Sequence, residues 1–115
     1  MRILEGEQWM VRIFIGESDR WHGRPLADAL VERLRREGFA GATVLRGLAG
    51  FGARSIVHTT HLLELSRDLP LVIEIIDTEE HVKRLEPILE EMIADGLVTL
   101  EKVRVLKYKP GAPRS

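Results

Sequence analysis

Apolar side chains fill almost every position of Leu71-Val72-Ile73-Glu74-Ile75-Ile76. A strand sends alternate residues to opposite faces, so a run of this kind wants cover on both. The spacing predicts a strand over Leu69 to Asp77 at the centre of a sheet. Pro70 is tolerated because it falls near the strand's start.

Gln8 to Gly16 reads as a second strand, with Trp9, Val11, Ile13 and Ile15 alternating with Met10, Arg12, Phe14 and Gly16. Met10 and Phe14 place large apolar groups on its other face. With helices on one side of the sheet, that face needs its own cover, and a subunit interface is the simplest. Ala42 to Arg46 and Leu97 to Lys107 read as the two remaining strands.

Two helical patterns lie between the strands. Leu26, Ala27, Leu30, Val31 and Leu34 recur at helical spacing, with Pro25 suited to the first turn and Gly38 to a left-handed cap. Thr78 is a good N-cap for the second helix, Glu79 and Glu80 stand in its first turn, and Val82, Leu85, Ile88, Leu89, Met92 and Ile93 form its buried stripe. Gly96 is expected to end it, and Pro87 predicts a bend near Leu85 within one helix. Glu32 and Arg36, Glu79 and Lys83, and Glu80 and Arg84 stand four apart in the favourable order, as on solvated helix faces.

The order β-α-β-β-α-β predicts an α+β fold, the ferredoxin-like plait: a four-stranded antiparallel sheet with two helices on one face. Residues 1–115 read as a single domain with an ordered core over about 8–109 and a flexible tail over 110–115. Acidic and basic residues nearly cancel, 18 against 17, so no broad positive field exists to gather nucleic acid. Cysteine is absent, which excludes disulfides, thiolate metal sites and cysteine nucleophiles. With no long apolar stretch and no secretory signal pattern, the chain reads as cytoplasmic and not inserted in a membrane.

Followed along the plait, the chain directions bring three connections to one edge: Glu17 to Arg24, Gly47 to Arg67, and Asp95 to Gly96. That edge collects Trp21, His22 and Arg24 from the first, and from the second Arg46, Gly47, Gly50, Gly52, Arg54, His58, Thr59, Thr60 and His61. Glycines let backbone N–H groups approach an anion, arginine offers a planar set of donors for phosphate or carboxylate, and Trp21 can stack on a base. The set suits a nucleotide or another small anionic metabolite. The same residues also read as a turn flanked by solvated arginines. Residues 55–66 are expected to form a partly ordered connection.

Arg46-Gly47-Leu48-Ala49-Gly50-Phe51-Gly52, followed by Leu69-Pro70-Leu71-Val72-Ile73-Glu74-Ile75-Ile76, resembles the end of strand two and the start of strand three in PII signal-transduction proteins. Asp19-Arg20-Trp21-His22-Gly23-Arg24-Pro25-Leu26, Gly41-Ala42-Thr43-Val44 and Ile75-Ile76-Asp77-Thr78-Glu79-Glu80 are similar to an uncharacterised PII-like family of small prokaryotic proteins. The resemblance spans residues 8 to 109. It implies a homotrimer with ligand clefts between subunits, and a long T-loop after strand two that changes shape with ligand and contacts a target protein. On this likeness Gly50, Phe51 and Gly52 match the Gly-Phe-Gly opening of the T-loop, and Lys107 matches a basic nucleotide-contacting residue on the last strand. The glycine-rich segment that PII proteins place before the last strand is replaced here by Asp95-Gly96-Leu97-Val98-Thr99. The ligand's identity, and any cofactor, therefore stay open. Genes of the nearer family often accompany fluoride-channel genes, which implies a membrane transport protein as a partner.

Two other readings remain. His58 and His61, three residues apart and joined by His22, fit a metal-binding protein. The apolar sheet face alone fits a homotrimeric assembly or adaptor module that takes no ligand. No nucleophile with a base, and no pair of positioned carboxylates, forms a catalytic signature around Ser55, Thr59, Thr60 or Ser66, so the chain does not read as an enzyme.

Overall fold

A computed structural model of the chain describes residues 4–50 and 69–111. Its elements follow in the order β1 (Gly6–Gly16), α1 (Leu26–Arg36), β2 (Thr43–Arg46), β3 (Pro70–Asp77), α2 (Glu79–Met92) and β4 (Leu97–Val105). The four strands form one sheet in the order β2-β3-β1-β4, every neighbouring pair antiparallel. This is the expected plait, with β1 and β3 at its centre.

Register decides what each face carries. Val11, Ile13 and Ile15 stand opposite Ile75, Ile73 and Leu71, and all six are buried. Leu26, Leu30 and Leu34 of α1 and Leu85, Ile88 and Met92 of α2 complete that core. Each such side chain contributes about 1.5–3 kcal/mol when fully buried, so this one layer outweighs every surface contact described below. Among the described residues, the other sheet face has no helix. Phe14 and Val72 stand opposite each other there, flanked by Leu45 and Leu97, which are 48% and 58% exposed. Arg12 lies mid-face, donating Nε to Glu74 at 3.1 Å and Nη1 to Glu101 at 3.0 Å.

The helix ends show local sequence at work. Gly38 adopts φ +82°, and the bonds from its N–H to the Arg35 carbonyl and from the Phe39 N–H to the Leu34 carbonyl close α1 in a Schellman motif. Phe39 and Leu34 both enter the core, which is the hydrophobic contact that accompanies this cap. Thr78 caps α2 by accepting from the His81 N–H at 3.2 Å. α2 continues through Pro87 as one helix of 14 residues.

Three expectations are corrected. Pro25 stands at the N-cap of α1 with extended ψ rather than inside its first turn. Gly96 does not end α2, whose cap is Ile93; a Cβ on Gly96 would lie 3.0 Å from the Phe14 carbonyl oxygen, so the glycine permits a close approach to β1. β4 stops at Val105, two residues short of Lys107.

Asp77 ends β3 fully buried, accepting from the Ala40 N–H at 2.8 Å and the Thr78 N–H at 2.7 Å. It thereby ties the connection after α1 to the start of α2. Removing the carboxylate leaves two part-buried donors without it, so Asp77→Ala should lower unfolding stability by about 1–3 kcal/mol. Asp77→Asn keeps one acceptor and should cost less. Urea unfolding checks this, and an unchanged midpoint in Asp77→Ala would contradict the role.

Candidate functional site

The register fixes one rim of the sheet. Gly16 pairs with Pro70, Arg46 with Leu71, and Phe14 with Leu97, so the ends of β1 and β2 and the starts of β3 and β4 lie together. Of the expected site residues, Trp21, His22, Arg24, Arg46, Gly47 and Gly50 belong to this rim and are described. Phe51, Gly52, Arg54, His58 and His61 lie outside the described residues.

The first connection is more regular than its sequence promised. Arg20–Trp21 pairs with Arg24–Pro25 as a two-residue antiparallel ribbon. His22 and Gly23 make its turn with φ of 47° and 80°, the pair of positive values a type I′ turn demands. Residue 23 as glycine satisfies this freely, and His22 is held by stacking on Trp21 with ring centroids 4.1 Å apart. The indole also lines a groove of about 370 Å³ against the end of α2. Asp19, Glu90, Glu91 and Asp95 line it too, with Arg20 as the basic group. That electrostatic environment repels an anion.

Two of the described rim arginines, Arg24 and Arg46, already hold carboxylates. Arg24 donates to Glu32 of α1 at 2.6 Å, and this bond holds the Glu32 carboxyl below the usual carboxylate range. Glu32 was expected to pair along its own helix with Arg36; the ribbon supplies the nearer cation. Arg46 crosses to Glu17, donating Nε to one carboxylate oxygen at 2.5 Å and Nη2 to the other at 2.7 Å.

The glycines have a steric reason that sequence reading missed. A Cβ on Gly47 would stand 2.7 Å from Pro70 Cγ, and one on Gly50 would stand 3.2 Å from the same atom. The outgoing chain lies flat on the proline that starts β3. Gly47 also spends its N–H on the Pro70 carbonyl at 2.7 Å, which leaves that donor unavailable to a ligand. Lys107 lies beyond the end of β4 that pairs with Gly6, at the opposite rim. Within one chain it does not join Arg46, since β1 separates the rims by about 30 Å.

No helix among the described residues is long and apolar enough to cross a membrane. Nor do the described residues contain a group of three His, Cys, Asp or Glu side chains placed to hold a metal ion.

Gly47→Ala should destabilise the chain by about 1–3 kcal/mol, the usual cost of forcing a methyl group into a filled space. Because the obstacle is the proline ring, Pro70→Ala should recover most of that loss in the double variant, with a coupling above about 0.5 kcal/mol. Denaturant melts of the four proteins measure it, and simple additivity would refute the contact.

The DUF190 family model, described as an uncharacterized ACR, matches residues 8–105. A UPF0166 protein of Aquifex aeolicus (strain VF5) is 40% identical over 108 residues, 92% of this chain and 98% of that protein. Among solved structures, a protein provisionally named as PII-like signaling, from Thermus thermophilus, superposes with a TM-score of 0.61 at 20% identity, over 89% of this chain and 93% of that one. CPII from Thiomonas intermedia, bound to ADP, AMP and acetate, superposes with a TM-score of 0.58 at 17% identity, over 91% and 92%. At those identities the structural likeness is one of fold. The family match covers nearly the whole chain: it belongs to the DUF190 (UPF0166) family and has a PII-like, ferredoxin-like fold.

Proposed function

We propose that the chain is a regulatory, non-catalytic PII-like module of the cytoplasm. In this reading it takes a small anionic metabolite or nucleotide at the rim where subunits of a homotrimer meet. Binding alters how the segment after β2 contacts a target protein, for which the family resemblance points to a membrane transport protein. The observation that carries the reading is the Arg46 guanidinium, which stands at the base of that segment in a geometry that grips an oxyanion with two N–H groups. CPII, of like fold, binds ADP, AMP and acetate.

Assembly is supported by what the monomer leaves uncovered. β2 runs with β1 and against β4, so rotation about an axis along the strands sets β4 of one copy antiparallel beside β2 of the next. Val44 on one edge strand and Val98 and Leu100 on the other are 45%, 40% and 53% exposed, all on the helix side of the sheet. A closed ring removes both edges. The acidity around Trp21 favours Arg46 over the ribbon as the anion's partner.

A pure assembly module without a ligand remains the second reading, because Arg24 and Arg46 at the rim already pair with carboxylates of the same chain. Calorimetric titration with ADP, AMP and acetate separates the two. Binding should occur in the wild type and weaken about tenfold or more in Arg46→Ala, the scale of a lost charged hydrogen bond. No heat with any of the three, or equal affinity in Arg46→Ala, would remove the rim from consideration.

A further inference from the structure

Arg46 and Glu17 are 29 residues apart in the chain, and β3 lies between their strands in the sheet. The side chains must meet above the start of β3, across two strand spacings or about 10 Å. The backbone on each side is pinned to that same start. The Glu17 N–H donates to the Leu69 carbonyl at 2.8 Å, and the Gly47 N–H donates to the Pro70 carbonyl at 2.7 Å. Asp19 steadies the turn after β1 by accepting from the Gly16 N–H at 3.0 Å. The position of the Glu17 carboxylate is therefore set by the fold rather than by chance contact of two long side chains.

A guanidinium edge that receives both oxygens of a carboxylate will receive another planar oxyanion of the same bite. Free carboxylates and bicarbonate have it. The Glu17 carboxylate stands where such a ligand would stand. We propose that Glu17 is an internal competitor: it fills the Arg46 fork in the unliganded chain, and a small planar oxyanion binds by exchanging with it. This rests on the reading of the rim given above, and deepens it by naming the ligand chemistry and the group that opposes binding. Arg46 is 57% exposed and Glu17 32%, so water screens the pair and the competition is modest. Exchange also unlinks the end of β1 from the end of β2.

The test follows the Arg46 Nε–H resonance by NMR in the full chain. Sodium acetate and sodium bicarbonate are titrated against sodium chloride at equal ionic strength, into wild type, Glu17→Gln and Glu17→Asp. Both oxyanions should move the resonance while chloride does not. Glu17→Gln should reach its midpoint at about fivefold lower concentration, the factor an exposed ion pair is worth at its upper end. Glu17→Asp keeps the charge but shortens the reach, and should fall between, which preserves the comparison if the glutamine variant fails to fold. Equal midpoints in all three proteins overturn the competition and leave the rim as a ligand site. No oxyanion-specific movement in any of them overturns the planar-oxyanion ligand and the competition together, and the calorimetric titration with ADP and AMP then decides the rim.

Discussion

A four-stranded sheet has two faces, and the described residues of this chain supply helices for only one. β1 and β3 are apolar toward both sides because they lie at the sheet's centre, and the core formed with α1 and α2 satisfies half of that demand. On the other face Leu45, Val72, Phe14 and Leu97 stand side by side across all four strands, too contiguous to be a scatter of surface leucines, and Ile76 lies beyond the Arg12–Glu74 pair. Arg12 beside it is held by two glutamates, so the face is not oil throughout, yet these charged groups arrive already paired. That combination suits a surface that another protein surface covers. The same register that creates the bare face also brings the chain's irregular connections to one rim.

On the proposed reading, binding at that rim is an exchange rather than the filling of an empty pocket. Arg24 and Arg46 carry carboxylate partners from their own chain, and the first glycine of the outgoing segment has given its N–H to Pro70. An anion arriving there gains only the difference between its own contacts and those it displaces. Weak, exposed ion pairs make that difference small and adjustable, which is what a sensor of a common metabolite needs.

Much of the architecture was legible because it is written locally. The alternation in β1, the unbroken apolar run in β3, the cap at Thr78 and the turn glycine at Gly38 each depend on neighbours within a few residues. What escaped depends on distant partners. Asp77 looks like an ordinary strand-end acid until Ala40, 37 residues away, supplies its N–H. Gly47 and Gly50 look like anion-binding glycines until Pro70 appears beneath them. Glu17 carried no signal of its own, since its role exists only when β1 and β2 are placed on either side of β3. The ribbon at Arg20–Trp21 could have been found from His22-Gly23, a dipeptide suited to a type I′ turn, but two-residue strands are too short to show alternation.

The proposed covering of the bare sheet face by sister copies underlies everything placed at the rim, and particle mass in dilute solution reports it directly. Sedimentation equilibrium at micromolar concentration should give three chains per particle. A single-chain mass, with the amides of β1 and β3 protected from exchange but the outer sheet face open to solvent, would contradict the shared rim and the ligand site built upon it.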